Sequence, residues 1–271
     1  MEEQRPRAVQ LSKGVNAVCQ THAMSSDKEE VMGLLVGYMR DDCLVIVDCI
    51  QLPRNEKHPD RVEIASEQLV EAMEEVEGMK RWWPPSLPEP RLVGWYHSHP
   101  HITVLPSAVD VSTQKRYEQM SSAWVGLIFG VFNHHIPRAS DRYQLIAFVA
   151  NPDYDTQMAD VYSRQHSSDQ SEEEACAEIK PYVLLPISYC NEDHEPIKAR
   201  VLRRLCNLPE VVKMEARQSL DQLSDVSGES SASLRHALAY CNFINEHVCI
   251  NALPIYNSRQ SQKKKDAISL L

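Results

Sequence analysis

The chain has 271 residues, 43% of them hydrophobic and 24% charged, which suffices for one good-sized domain with an appendage or for two small domains. Its formal net charge of -10 argues against a protein that binds nucleic acid regardless of sequence, because such proteins present basic surfaces. The N-terminal residues lack the apolar segment of a signal peptide, and no apolar stretch approaches the roughly 20 residues that span a bilayer.

Hydrophobic periodicity predicts one helix and then two strands in the N-terminal part. The helix covers residues 11–25, and we interpret His22 on its apolar stripe as a packing or surface residue rather than a ligand. The strands cover residues 31–37 and 44–52 and form a hairpin. Glu30 lies at the mouth of the first strand, where it is either a charged residue ending a turn or, beside other ligands, a functional carboxylate.

A short strand over residues 62–65 and a helix capped by Ser66 are predicted next, followed by a proline-rich loop. The predicted inner face of this helix consists of four apolar residues, Leu69, Ala72, Met73 and Val76. The loop carries Trp82 and Trp83. These tryptophans either cover the edge of the core, which we favour, or offer a contact surface to a partner.

Two histidines follow a strand of buried character over residues 92–96. His97 and His99 are two positions apart, so in an extended chain both imidazoles leave the same face and can point at one spot. Pro100 is expected to force the backbone out of the ladder directly afterwards. A lone His-x-His is common in sequences, so the pair indicates a metal site only if further ligand-type side chains lie close to it.

A helix predicted over residues 107–120 can bring Asp110 back toward the two histidines. Taken alone, Pro-Ser-x-x-Asp favours a helix start in which Ser107 is the N-cap and Asp110 is the acidic residue of a capping box. The alternative is that Asp110 is a third ligand. Two imidazoles and a carboxylate, with a fourth position left for water, form a catalytic zinc arrangement.

The remaining strands are predicted over residues 124–132, 142–151 and 182–188. Together with the earlier elements they indicate an α+β fold, in which a mixed, mostly antiparallel sheet is flanked by helices. A polar, acidic segment at about 152–178 interrupts the series and is typical of a mobile loop or a domain boundary.

The C-terminal part is predicted to be helical over residues 197–252 and disordered over residues 258–271. Two amphipathic helices in a hairpin cannot bury both apolar stripes by themselves. They either lie back on the domain or complete a bundle with another subunit, and we favour the second arrangement.

Eight cysteines are scattered along the chain and none forms a Cys-x-x-Cys pair. In a chain of this length without a secretion signal, we predict buried free thiols and a reducing compartment. The expected location is cytoplasmic and nuclear, with the basic run of residues 263–265 as a weak import signal.

The combined motif resembles a known family. Residues 30–34 (Glu-Val-Met-Gly-Leu), 94–100 (Gly-Trp-Tyr-His-Ser-His-Pro) and 106–110 (Pro-Ser-Ala-Val-Asp) are similar to the JAMM (MPN+) motif of zinc-dependent deubiquitinating isopeptidases. The run His-Ser-His-Pro-His-Ile-Thr-Val is similar to the lysine-63-selective branch of that family, which acts in BRISC complexes. The resemblance covers residues 10 to about 150, and the C-terminal half is similar only in its layout of paired helices.

The resemblance implies a site and a cofactor. His97, His99 and Asp110 would be the ligands of one zinc ion per chain, Glu30 the general acid and base, and Ser107 the contact to the oxyanion. Zinc would lower the pKa of its water to near 7, and Glu30 would accept the water's proton as the isopeptide carbonyl is attacked.

The resemblance also implies an organisation and partners. Residues 1–190 would form the MPN+ catalytic domain, and residues 197–252 would assemble with an inactive MPN-type scaffold subunit, in a dimer of heterodimers. The expected substrate is lysine-63-linked polyubiquitin, with neither nucleic acid nor membrane as a direct partner. Two alternatives remain, namely a non-catalytic MPN scaffold and a metallopeptidase acting on small peptides.

Overall fold

A computed structural model of the chain describes residues 4–53, 64–133, 143–157, 179–191 and 193–221. The chain divides into two compact units. The first, residues 1–52 and 57–205, contains the sheet and every predicted site residue. The second comprises residues 53–56 and 206–271, of which residue 53 and the helical residues 206–221 are described.

Eight strands form one mixed sheet in the first unit, in the order β7-β6-β5-β4-β2-β3-β1-β8. They are β1 Ala8–Ser12, β2 Met32–Arg40, β3 Cys43–Leu52, β4 Arg91–Pro100, β5 Val125–Val131, β6 Gln144–Ala150, β7 Tyr182–Leu185 and β8 Ile187–Cys190. The pairs β1–β3, β1–β8 and β4–β5 are parallel, whereas the other four pairs are antiparallel. The prediction of a mixed, mostly antiparallel α+β fold is therefore confirmed.

The last predicted strand, over residues 182–188, is wrong as a single element. Pro186 divides it into β7 and β8, which pair at opposite edges of the sheet. Pro186 has no N–H to donate to a ladder, and its carbonyl instead accepts the Val9 N–H at 2.9 Å. Because one residue links the two edge strands, the sheet must curl until its edges lie side by side.

The described helices are α1 Lys13–Ala23, α2 Ser66–Met79, α3 Ala108–Glu118 and α4 Glu195–Asp221. The predictions for α1 and α3 are confirmed within two residues at each end, and so is the helical character from residue 197 to 221. The remainder of residues 197–252, the tail, and most of the acidic segment (158–178) lie outside the described residues.

The start of α2 differs from its prediction. Ala65 is the N-cap, and its N–H donates to Gln68 Oε1 at 3.2 Å, so Ser66 is the first helical residue rather than the cap. Met73 is 58% exposed, and Met79 at the end of the helix is buried in its place. Of the short strand predicted before α2, the described residues 64–65 are not in a strand.

Adjacent residues of β3 show which face each helix covers. The Cys49 thiol meets Cys19 of α1, whereas the carboxylate of Asp48 binds Arg200 of α4 beside Glu75 of α2. Successive side chains of a strand point to opposite faces. Helix α1 therefore packs on one face of the sheet, and α2 packs on the other with the first turns of α4.

Tyr96 of β4 connects the sheet to α1. Its ring lies across Gly33 of β2, where a Cβ would come within 2.4 Å of the ring, so only glycine permits this approach. The Tyr96 hydroxyl lies 2.7 Å from Nδ1 of His22, which is buried. The interpretation of His22 as a packing residue is therefore confirmed.

The predicted roles of the tryptophans and cysteines have mixed outcomes. Trp83 is buried in the core and donates from Nε1 to the Pro88 carbonyl at 2.8 Å, and Trp82 is partly buried beside it, as favoured. The cysteines in the described residues are free thiols as predicted. Cys19 and Cys49 are buried, but Cys43 and Cys190 are only half-buried and Cys206 is exposed. None of the helices in the described ranges is both long and apolar enough to cross a membrane.

Candidate metal centre

Strand β4 brings both histidines to one point on the side of the sheet that faces α3. Trp95, His97 and His99 lie on one face, and the His97 ring stacks on Trp95 with centroids 4.6 Å apart and planes at 15°. The Nε2 atoms of His97 and His99 lie 3.0 Å apart, and both side chains are almost fully buried. Pro100 is the last strand residue, so the chain leaves the ladder one residue later than predicted.

Asp110 reaches the histidines from the first turn of α3. Its Oδ1 lies 3.2 Å from His97 Nε2, and its Oδ2 lies 3.4 Å from His99 Nε2. The capping box is also present, because Asp110 Oδ2 accepts the Ser107 N–H at 2.7 Å and Ser107 Oγ accepts the Asp110 N–H at 3.2 Å. The predicted cap is therefore confirmed, and the same carboxylate also lies against both histidines.

Glu30 approaches the same point from the segment that precedes β2. Its Oε1 lies 3.8 Å from His99 Nε2, and its side chain is 17% exposed. The ligand atoms of Glu30, His97 and His99 all lie within 4.8 Å of one another, close enough to surround a single ion. A carboxylate more than 60 positions earlier in the sequence therefore joins the histidine pair in space.

The separations between the donor atoms are close to those around a tetrahedral metal ion. Ligands at about 2.0–2.1 Å from zinc are separated by roughly 3.3 Å, the edge of the tetrahedron. The two histidine nitrogens are 3.0 Å apart, and they lie 3.2 and 3.4 Å from different oxygens of Asp110, Oδ1 for His97 and Oδ2 for His99. Two imidazole nitrogens with one carboxylate are also a donor set that zinc accepts in catalytic sites.

The charge state of the cluster favours an ionised Asp110. Burial opposes ionisation, but hydrogen bonds with His97 and His99 outweigh it and hold the pKa of Asp110 well below its usual range. Burial likewise disfavours a charged His99, yet the bond with Asp110 and the Thr103 carbonyl raise the pKa of His99 above its usual value. The anionic carboxylate required of a ligand is therefore already present.

The ring of His99 is oriented by the loop that follows it. Nδ1 lies 2.6 Å from the Thr103 carbonyl, which can only accept, so Nδ1 carries a proton and Nε2 faces the cluster, with a free lone pair when the ring is neutral. The chain turns back toward His99 at His101, whose φ of 62° is in the left-handed region. Because the acceptor is a backbone carbonyl, no side-chain pattern in the sequence signals it.

A buried glutamine fixes α3 against β4. Gln114 Oε1 accepts the Trp95 Nε1 proton at 2.8 Å, and Gln114 Nε2 donates to the Trp124 carbonyl at 2.8 Å and to Glu118 at 2.9 Å. This network joins the helix that carries Asp110 to the strand that carries His97. Sequence reasoning missed Gln114, because its full burial is visible only in the structure.

Comparison with known proteins shows which family and which relatives the chain is similar to. Residues 4–123 match the family model described as JAB1/Mov34/MPN/PAD-1 ubiquitin protease. The Lys-63-specific deubiquitinase BRCC36 of Rattus norvegicus is 33% identical over 266 residues, covering 83% of this chain and 86% of that protein. A solved protein from Desulfitobacterium hafniense is 17% identical with a TM-score of 0.44, covering 69% of this chain and 97% of its own.

Two further relatives are similar over about half of the chain. The Lys-63-specific deubiquitinase BRCC36 of Camponotus floridanus is 47% identical over 134 residues, and that of Xenopus tropicalis is 46% identical over 127 residues. These alignments cover 49% and 46% of this chain, and the chain spans only about half of each relative (51% and 48%).

Proposed function

Because this chain belongs to the JAB1/Mov34/MPN/PAD-1 ubiquitin protease family, we propose that it is a zinc-dependent deubiquitinase that hydrolyses lysine-63-linked polyubiquitin. The single observation that carries the proposal is the convergence of Glu30, His97, His99 and Asp110 on one buried point. The printed specificity of the BRCC36 relatives supports the choice of linkage.

His97, His99 and Asp110 would hold the zinc ion. Zinc, when bound, supplies a Lewis acid that brings the pKa of a water molecule to about 7. Asp110 contributes a negative charge that hydrogen bonds keep ionised, and the Thr103 carbonyl keeps the Nε2 lone pair of His99 directed at the ion. Asp110 is thereby held in the anionic form that metal binding requires, whereas His99 would have to lose any proton on Nε2 before it binds.

Glu30 would move the protons of the reaction. Its carboxylate is close enough to the ligand nitrogens to accept a proton from a water molecule as that water attacks the isopeptide carbonyl. It would then deliver the proton to the departing lysine amine. Ser107 Oγ accepts the Asp110 N–H, so the hydroxyl proton is left for donation to the oxyanion that develops on the carbonyl oxygen.

A pair of neighbouring carboxylates provides the test. Glu30→Gln and the control Glu29→Gln are introduced into the full chain, which is then purified from its native cells together with whatever binds it. Zinc is quantified by mass spectrometry, and cleavage of lysine-63-linked and lysine-48-linked di-ubiquitin is measured with and without a chelator. We expect Glu30→Gln to retain zinc and to lose activity by a factor of roughly 10²–10⁴, while Glu29→Gln stays close to wild type.

Two results would reject the proposal. A wild-type rate in the Glu30→Gln chain would exclude Glu30 as the general base. A purified wild-type chain that holds no zinc and cleaves no di-ubiquitin would favour a scaffold without catalytic function.

We also propose that α4 and the residues after it assemble with an inactive MPN-type scaffold subunit, in a dimer of heterodimers. Within the first unit, Leu202 and Leu205 lie three residues apart on α4 and are 63% and 39% exposed, which suits a helical partner. Mass measurement of the native complex and of a Leu202→Glu variant tests this. A native mass equal to that of one chain would contradict it.

The proposed location is the cytoplasm and nucleus. The free thiols at the described cysteines suit a reducing compartment. Imaging of the full chain tests this location, and a signal confined to the secretory pathway would refute it.

A further inference from the structure

We propose that Ser98 is a positioning residue, which fixes the backbone that carries Glu30 so that the carboxylate is held against the metal centre. The inference rests on the proposed function, since it assigns Glu30 the role of general base. Ser98 lies between the two histidines, but its side chain points to the opposite face of β4 and so cannot be a ligand.

Two hydrogen bonds join Ser98 to Val31, the residue directly after Glu30. Ser98 Oγ accepts the Val31 N–H at 2.9 Å, and the Ser98 N–H donates to the Val31 carbonyl at 3.0 Å. The regular pairing of β2 with β4 ends at Met32 and His97. These bonds extend the hydrogen bonding between β2 and β4 by one residue, to Val31, which directly follows Glu30 in the chain.

Burial makes this connection difficult to replace with water. Ser98 and Val31 are both fully buried, so loss of the hydroxyl leaves the Val31 N–H without an acceptor in the interior. The adjacent Glu30 has a side chain that is 17% exposed, and its carboxylate lies 3.8 Å from His99 Nε2. If Val31 shifts to find another acceptor, Glu30 shifts with it, and a displacement of about 1 Å can lower a rate by roughly 10²-fold.

The kinetic test uses Ser98→Ala, which removes the hydroxyl without adding volume, and Ser98→Thr, which retains it. The matched control is Ser12→Ala, a serine that is equally buried but lies in β1, three strands from β4 in the sheet. All are measured as full chains in the native assembly. We expect Ser98→Ala to lower kcat by roughly 10- to 100-fold with KM within about twofold and zinc content unchanged. Ser12→Ala and Ser98→Thr should stay within about threefold of wild type.

A second readout separates positioning from catalysis. Amide hydrogen exchange at Val31 should accelerate at least tenfold in Ser98→Ala and return to the wild-type rate in Ser98→Thr, with or without zinc. A wild-type kcat in Ser98→Ala, a loss of zinc from it, or unchanged Val31 exchange would overturn the positioning role. Failure of the proposed function is recognised separately, because in that case Glu30→Gln would itself cleave at the wild-type rate.

Discussion

The buried ionic cluster around Asp48 offers a sharp test of what fastens α4 to the sheet. Asp48 is fully buried, and its Oδ2 accepts Arg200 Nε at 2.7 Å and Arg204 Nη2 at 3.1 Å. The two arginine side chains are only 21% and 12% exposed. Asp48→Asn keeps the shape of the side chain but removes its charge, which leaves Glu75 as the carboxylate bonded to both guanidinium groups.

The expected loss of folding stability in Asp48→Asn follows from the burial of the cluster. Removing one partner of a buried ion pair leaves an uncompensated charge and destabilises by about 3–5 kcal/mol. For a domain of this size that corresponds to a decrease in Tm of roughly 6–20 °C. The measurement is thermal and urea unfolding followed by far-UV circular dichroism, at one fixed ionic strength.

Glu75→Gln is the matched control for this measurement. Glu75 bonds to the same arginines but is 37% exposed, so its replacement should cost at most about 1 kcal/mol. If Asp48→Asn lowers the stability no more than Glu75→Gln does, the buried charge does not hold α4 and the reasoning fails.

Three further predictions concern the site and the thiols. Chelation should lower Tm more at pH 8 than at pH 6, since a proton on His99 competes with the metal. Burial lowers the pKa of His99, but the bond with Asp110 outweighs it, so the pKa is higher in the folded chain than in the unfolded chain. In the metal-free chain this stabilisation is complete below the pKa of the unfolded state and is lost as the pH rises through the pKa of the folded state. Equal effects of the chelator at both pH values would contradict this. Iodoacetamide at pH 8 should label exposed Cys206 well before Cys19, whose pKa is raised by burial. Peptide mass mapping measures the order of labelling, and earlier labelling of Cys19 would contradict the prediction. Asp110→Asn should weaken zinc binding at least tenfold, whereas Ser107→Ala should lower the free energy of unfolding by about 1 kcal/mol and retain zinc. Competition with a metal-binding dye measures the zinc affinity of both variants, and urea unfolding measures the stability of Ser107→Ala. Unchanged zinc affinity in Asp110→Asn would show that Asp110 is not a ligand.

Elements with a strong local pattern could be predicted from the sequence, and elements decided by distant partners could not. Strands β2 and β3 are nearly continuous apolar runs, and they are buried along most of their length. The run at 182–188 has similar composition, but Pro186 sends its halves to opposite edges of the sheet. The proline is a local signal that the run is interrupted, but the pairing of each half with a different edge depends on the curl of the whole sheet.

The side chains that meet in the site could be predicted, whereas the groups that orient them could not. His97 and His99 were identifiable because their spacing is local and their chemistry is narrow. The groups that support them are a backbone carbonyl at Thr103 and the polar side chains of Ser98 and Gln114. Serine and glutamine occur everywhere in sequences, and only the packing of β4 against its neighbours gives these two a function.

The position of Asp110 shows that a helix cap can also contact both histidines. A carboxylate has two oxygens and about four acceptor sites, so one residue can serve the helix and the histidines together. The Ser107 N–H holds Oδ2 and thereby fixes the rotamer that directs Oδ1 at His97. The N-terminus of α3 also favours a negative charge on Asp110, and the bonds with the histidines favour the same charge by lowering its pKa. The cap therefore directs the carboxylate toward the two histidines, and it does so without a metal ion.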